Sequence, residues 1–144
     1  MSARPLNSRE PVALVEGDEA PELTVGPLTR TDIVRYAGAG GDFNPIHHDE
    51  EFARSAGMPT VFAMGLMHGG MLGGVVARWL GRANVRSYQI RFTGQVWPGD
   101  TLRFTGRVER IYAADGERRA ECSLRVTRQT GDDAIHATAV ATVA

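Results

Sequence analysis

Residues 65–80 read GLMHGGMLGGVVARWL, and this stretch decides the fold. Its apolar residues recur at spacings of three and four, which is the period of an α-helix. They are Leu66, Met67, Met71, Leu72, Val75, Val76, Trp79 and Leu80. The pattern predicts a helix from Gly65 to Leu80 with a buried apolar face.

The interior of this helix contains four glycines, at positions 69, 70, 73 and 74. Each glycine in a helix interior costs up to about 1 kcal/mol relative to alanine. Glycine is favoured where another backbone or a ligand comes very close to the chain. We therefore expect the helix to be central in the fold rather than peripheral.

The chain that follows the helix has a period of two, which is typical of half-buried strands. The alternation covers about residues 88–92, 102–108, 120–126 and 134–143, with turn sequences at 98–101, 114–117 and 130–133. Four strands joined by tight turns predict an antiparallel sheet. Wrapping that sheet around the helix is the simplest way to bury both. This α+β arrangement resembles the hotdog fold.

The N-terminal part of the chain predicts two short helices after a mostly extended lead-in over residues 1–22. Thr29 and Asp32 have the spacing of a capping box, and Ile33 and Val34 begin an apolar face. The glycines at 38, 40 and 41 should end this helix. A second helix begins among the acidic residues 49–51 and ends before Gly57. We expect residues 1–144 to form a single domain.

Composition limits the partners of the protein. With 16 basic and 17 acidic residues the formal net charge is −1, which gives no field that would attract nucleic acid or an anionic membrane. No stretch approaches the roughly 18 apolar residues of a membrane span. The single Cys122 cannot form an internal disulfide, which weakly favours a reducing compartment. We expect a cytoplasmic protein.

Residues 40–53, GGDFNPIHHDEEFA, carry the candidate chemistry. Pro45 and the glycines keep the segment out of regular helix, so a turn can bring Asp42 and His47 together. A carboxylate beside an imidazole can exchange a proton near neutral pH. The alternative is that these side chains, with Asn44, only cap backbone groups in a turn. A second feature favours catalysis: the free N–H groups at Gly65, where the central helix begins, could stabilise a carbonyl oxygen that acquires charge.

The neighbouring His47, His48 and Asp49 suggest a metal site at first sight. Adjacent side chains in an extended turn point apart, and no third ligand stands at a suitable spacing. We therefore expect no metal and no other cofactor.

The segment G-D-F-N-P-I-H-H-D at 41–49, the stretch GMPTVFAMGLMHGGML and the later RFTGQVWPGDTL together resemble the MaoC-like family of hotdog dehydratases, which includes (R)-specific enoyl-CoA hydratases. The resemblance implies that Asp42 and His47 hold a water and add it across the double bond of a trans-2-enoyl thioester. It also implies that Asn44 supports the pair and that the Gly65 N–H polarises the thioester carbonyl. The implied substrate is a thioester of coenzyme A or of an acyl carrier protein.

The chain departs from this family at Met64, where a histidine is usual. The change puts the shape of the substrate pocket in question. Met64, Met67 and His68 are candidate substrate-binding residues, although methionines in a packed core and a packed or solvent-facing histidine are the commoner cases.

Two other functions stay open. One is a hotdog thioesterase, in which water attacks the thioester carbonyl. The other is a subunit of a heteromeric dehydratase that mainly supports its partner. Because hotdog sheets usually pair, the resemblance implies a homodimer, or a heterodimer with another hotdog subunit.

Overall fold

The structure, a computed structural model, describes residues 8–144. A five-stranded antiparallel sheet curls around one long helix, which confirms the expected α+β hotdog architecture. The strands are β1 (Leu23–Val25), β2 (Val85–Phe92), β3 (Leu102–Ala114), β4 (Glu117–Arg128) and β5 (Asp133–Thr142). The helices are α1 (Arg30–Gly40), α2 (Glu50–Ser55) and α3 (Gly65–Val76). The strand order in the sheet is β1-β3-β4-β5-β2.

Every fourth residue of α3 is a glycine that packs against a side chain of β2. The contacts pair Gly65 with Phe92, Gly69 with Ile90 and Gly73 with Tyr88. Four residues of helix rise about 6 Å and two residues of strand about 6.7 Å, so the two elements stay in step along their length. A Cβ atom at Gly65 would lie only 2.6 Å from the Phe92 ring. The glycines therefore allow the central helix to lie close to the sheet.

Three details of the helix prediction are wrong. The close approach comes from side chains of β2 rather than from a backbone, and a Cβ atom at Gly70 would meet nothing within 4 Å. Leu66 is 63% exposed, although its spacing places it with the apolar face. The α-helix also ends at Val76, and the chain continues to Gly81 as a π-helical segment (Ala77–Gly81).

The turns between the later strands follow from their sequences. Asp115 and Gly116 both have positive φ, 52° and 73°, as the tight turn of a right-twisted hairpin requires, and they join β3 to β4. The predicted hairpin between the first two of the four strands does not form, because β2 pairs with β5 at the far edge of the sheet. The chain from Phe92 to Leu102 crosses from one side of the sheet to the other instead.

The Pro-Gly-Asp turn in that crossing is fixed by a buried ion pair. Asp100 is only 3% exposed, and its carboxylate accepts hydrogen bonds from Arg128 Nε at 2.7 Å and from the Trp97 N–H at 2.8 Å. Burial alone would raise the pKa of Asp100, but these bonds and one from Gln129 hold it below its ordinary value. The turn is thus tied to the end of β4.

Helix α1 begins as predicted. Thr29 Oγ1 accepts the Asp32 N–H at 3.1 Å, and the Asp32 carboxylate accepts the Thr29 N–H at 2.9 Å. The helix also ends among the predicted glycines: Gly38 and Gly40 are still helical, and Gly41 leaves the helix with φ 73°. Val34, placed on the apolar face, is 54% exposed.

The described part of the lead-in, residues 8–22, packs along the sheet with few regular elements. Val12 forms a bridge with Val143, Glu19 forms one with Arg107, and Leu14 is buried. Residues 1–7 of the predicted lead-in lie outside the described residues. The short strand β1, which the sequence did not predict, pairs with β3. Among residues 8–144, no helix has the length and apolar character that crossing a membrane requires.

Candidate active site

The loop between α1 and α2 is built by a succession of caps. Gly41 turns the chain out of α1 in the left-handed conformation. The Asn44 side chain then accepts the N–H two residues further on, at 3.1 Å, and caps the 3-10 helix Pro45–His47. Asp49 caps α2 by accepting the Phe52 N–H at 3.0 Å. The Asn44 side chain therefore caps a backbone group, and Asp49 begins α2 as the acidic residues predict.

His47 is held at the base of this loop. Its side chain is buried, and its Nδ1 lies 2.7 Å from the backbone carbonyl oxygen of Phe62. A carbonyl oxygen can only accept, so Nδ1 carries the hydrogen and Nε2 of the neutral ring is an acceptor. The Phe62 ring packs edge-on against the imidazole at 5.0 Å, and the Ala63 N–H donates to the Val96 carbonyl at 2.8 Å. These contacts fix both the tautomer and the orientation of the ring.

Asp42 faces the free nitrogen of that ring. Its Oδ2 lies 3.6 Å from His47 Nε2, and its Oδ1 accepts the Asn44 N–H at 3.2 Å. The separation of 3.6 Å is too long for a direct hydrogen bond. The Asp42 side chain is 46% exposed, whereas that of His47 is 10% exposed. The two acceptor atoms thus form a pair that one water lying to the side of both could bridge.

The N-terminus of α3 lies beside this pair. Met64 is the N-cap residue and makes no side-chain cap hydrogen bond, so helix geometry leaves the first N–H groups, at Gly65 and Leu66, without an intrahelical acceptor. These N–H groups form the positive end of the helix dipole. Asp42, His47 and Gly65 line one cavity of about 300 Å³. The structure therefore brings together three of the residues that the sequence singled out.

The wall of the cavity is largely apolar. The larger apolar side chains on it are Phe62, Met64, Leu66 and Phe92, and the ionisable ones are Tyr36, Asp42, His47 and His68. Within the described part of the chain, no arginine lines the cavity. A mostly apolar cleft with a few convergent polar groups is typical of a small-molecule site.

The candidate substrate-binding residues differ in position. Met64 and His68 line the cavity, and His68 is packed rather than solvent-facing. Met67 belongs to the hydrophobic core and is not among the lining residues, so the core interpretation is favoured there. Phe92 was not singled out by sequence reasoning, although its alternation with Ile90 placed it on a strand.

His68 has an unusual environment. It is 1% exposed, and neither ring nitrogen has a hydrogen-bond partner among residues 8–144. Burial lowers the pKa of His68 to about 4, because the charged ring would lose its hydration. The ring is therefore neutral near pH 7.

Among residues 8–144, no three His, Cys, Asp or Glu side chains are grouped closely enough to hold a metal ion. The His47 ring, which the sequence placed beside His48 and Asp49, is directed instead at Asp42 and Phe62.

The fold and the site together define a hotdog domain whose central helix begins beside a carboxylate–imidazole pair. A family model described as "MaoC like domain" matches residues 15–130, and the chain belongs to this family. A relative from Mycobacterium tuberculosis named 3-hydroxyacyl-thioester dehydratase Y is 37% identical over 89 residues, which are 59% of this chain and 31% of the relative. The enoyl-CoA hydratase ChsH3 of the same organism is 36% identical over 92 residues, 61% of this chain and 32% of that protein.

Solved structures support the same fold. The chain is similar to one in the ChsH1–ChsH2 complex from Mycobacterium tuberculosis, with a TM-score of 0.76, 27% identity, and coverage of 90% of this chain and 98% of that one. The (R)-hydratase from A. caviae involved in PHA biosynthesis has a TM-score of 0.77 at 21% identity, covering 91% of this chain and 98% of that one, which shows the fold alone. The matched segments amount to about a third of the length of the two curated relatives.

Proposed function

We propose that this domain adds water reversibly across the double bond of trans-2-enoyl thioesters to give 3-hydroxyacyl thioesters. One observation carries the proposal: Asp42 Oδ2 and His47 Nε2 lie 3.6 Å apart in the same cavity as the N-terminus of α3. The relatives named dehydratase and enoyl-CoA hydratase support it, as does the match of residues 41–49 to the family motif. The (R) configuration of the product is inferred from the resemblance to (R)-specific hydratases.

The spacing of the pair suits a bound water. A water oxygen about 2.8 Å from each of two atoms that are 3.6 Å apart subtends an angle of roughly 80°, close to what its two hydrogens can span. Both protein atoms accept: the carboxylate has no hydrogen, and the Phe62 carbonyl keeps the ring hydrogen on Nδ1. Each hydrogen of the water then has an acceptor, and an oxygen lone pair is free to attack Cβ.

The reaction transfers one proton overall. As the water oxygen forms its bond to Cβ, the pair receives a proton and the double-bond electrons move towards the thioester oxygen, giving an enolate. The N–H of Gly65 donates to that oxygen as its charge develops. Return of the electrons to Cα takes up one proton, which the pair can supply. We assign the proton transfer to Asp42 and His47 jointly, and we assign Asn44 the support of Asp42 through its backbone N–H.

Incubation with crotonyl-CoA tests the proposal against the thioesterase alternative. Hydration removes the enoyl absorbance without releasing thiol, whereas hydrolysis releases thiol. We expect the first result, with Asp42→Asn and His47→Ala each lowering turnover at least about 100-fold. Thiol release, or near wild-type hydration by both variants, would overturn the mechanism. Circular dichroism of each variant controls for the fold.

We also propose that the domain works as a pair of hotdog domains, as a homodimer or with another hotdog subunit. β2 is an edge strand of the sheet, and at its end Phe92 is 51% exposed beside the 63%-exposed Leu66 at the cavity. Exposed apolar groups around a cavity favour cover by a partner. Light scattering should give twice the monomer mass at micromolar concentration, and a monomer would defeat the homodimer. If the chain alone hydrates nothing but does so with a second subunit, the heteromeric dehydratase is the correct alternative.

A further inference from the structure

The feature left unused by the proposed chemistry is the buried imidazole of His68. It stands one helical turn after Met64 on α3, lines the same cavity as Asp42 and His47, and is 1% exposed. Neither of its ring nitrogens has a partner in the structure. A neutral imidazole offers one N–H donor and one acceptor nitrogen. Burying these groups without hydrogen-bond partners is unfavourable. A ligand in the cavity that forms a hydrogen bond with the ring would therefore gain binding free energy.

The protein fixes the tautomer of His47 but not that of His68. The Phe62 carbonyl holds the hydrogen of His47 on Nδ1. His68 has no such carbonyl within hydrogen-bond distance of either nitrogen. Its tautomer is therefore free to match a ligand that donates or one that accepts.

In the proposed reaction, the reacting water and the thioester oxygen already have hydrogen-bond partners in the cavity. The water has Asp42 and His47, and the thioester oxygen has the N–H groups at the start of α3. Of the polar side chains that remain on the cavity wall, His68 is the one whose nitrogens are buried and unpaired, so it is available to the acyl chain itself. The other remaining polar side chains on the wall are Tyr36, which is half-buried, and Gln95, which is exposed, so water can bond to both of them.

The charge of the expected partner group also follows from the cavity. No arginine of residues 8–144 lines it, and a buried carboxylate without a cation is strongly disfavoured. A neutral hydroxyl or keto oxygen can pair with a neutral imidazole without this penalty. Resting on the proposed function, we infer that His68 makes the domain selective for enoyl thioesters whose acyl chain carries a neutral hydroxyl or keto oxygen beyond the reacting double bond.

Two enoyl-CoA substrates of equal chain length test this inference, one with a plain alkyl chain and one with a hydroxyl group on it. The wild type should favour the hydroxylated substrate in kcat/KM by about 10-fold to 100-fold, the range expected for a buried hydrogen bond whose loss leaves a group unpaired. His68→Leu, which keeps the approximate volume but removes both nitrogens, should lower that ratio to about one or below. His68→Gln, which keeps a donor and an acceptor, should retain part of the preference.

The selectivity is also measured without turnover. The Asp42→Asn variant, which should bind both substrates without converting them, should show a similar preference in Kd by calorimetry, and the double variant with His68→Leu should lose it. A ratio that His68→Leu does not change, or a wild-type preference for the alkyl chain, would overturn the inference about His68. If the wild type hydrates both substrates at Asp42-dependent rates in that case, the proposed function stands and only the inference fails. If the wild type hydrates neither substrate, even together with a second hotdog subunit, both fail.

Discussion

The stability of the protein should depend on pH through His68. The folded-state pKa is about 4, and the ordinary value is 6.5, because burial penalises the charged ring. Protons therefore bind the unfolded chain more readily than the folded one. The stability contributed by the neutral buried ring is full above pH 6.5 and is lost as the pH falls towards 4.

The size of the effect follows from the two values. A fall in pKa from 6.5 to about 4 corresponds to about 3 kcal/mol when the ring is fully protonated in the unfolded state. By the linkage relation, the loss relative to pH 7.5 is about 1 kcal/mol at pH 6 and about 2 kcal/mol at pH 5. His68→Leu removes this term. The free energy of unfolding of the wild type, minus that of His68→Leu, should thus fall by about 2 kcal/mol between pH 7.5 and pH 5.

Urea denaturation at several pH values measures this difference. Carboxylates also titrate in this range, but their contributions are common to both proteins and cancel in the subtraction. His48→Leu, the same substitution at an exposed histidine, is the matched control. A difference between the wild type and His68→Leu that stays constant from pH 7.5 to pH 5 would refute the reasoning, because it would mean that the His68 ring keeps its hydration in the folded protein.

Three further predictions concern neighbouring features. Gly70→Ala should stabilise the protein by about 0.5–1 kcal/mol in thermal denaturation, because a Cβ atom at this position meets open space. Gly69→Ala should stabilise it less or destabilise it, because its Cβ atom would lie 3.0 Å from a β2 side chain. Equal gains in stability would contradict the packing of α3. Asp100→Ala should cost about 3–5 kcal/mol in urea denaturation, since it leaves the partly buried Arg128 with only its longer contact to Asp132 at 3.5 Å. A cost below about 1 kcal/mol would contradict that account. The double variant of Asp42→Asn and His47→Ala should lose little more hydratase activity than either single variant, because the two groups hold one water; multiplied losses would indicate separate roles.

Much of the fold was readable from local patterns. The capping box of Thr29 and Asp32 depends on residues three apart, and the Asp115–Gly116 turn depends on the φ angles that adjacent residues tolerate. The strand β1 was missed because three residues are too few to show a period. The placement of β2 beside β5 was missed because pairing across the sheet is not recorded in the spacing of residues along the chain.

The sequence likewise predicted some features of the candidate site and missed others. The sequence predicted that Asp42, Asn44 and His47 lie in one turn, and it predicted that α3 begins at Gly65. It did not show that His47 donates to the Phe62 carbonyl, a contact between residues 15 apart that fixes the tautomer of the ring.

The sequence by itself determined the elements and the chemistry of their side chains: a glycine-rich apolar helix, alternating strands, and a loop with a carboxylate and an imidazole. Only the tertiary structure decided which of these groups share a cavity and which lack a partner. Periodicity reports the face of an element on which a residue lies, but not what stands opposite that face. For this reason Leu66 and Phe92, both apolar by pattern, are exposed at the cavity, while His68, polar by composition, is buried in its wall.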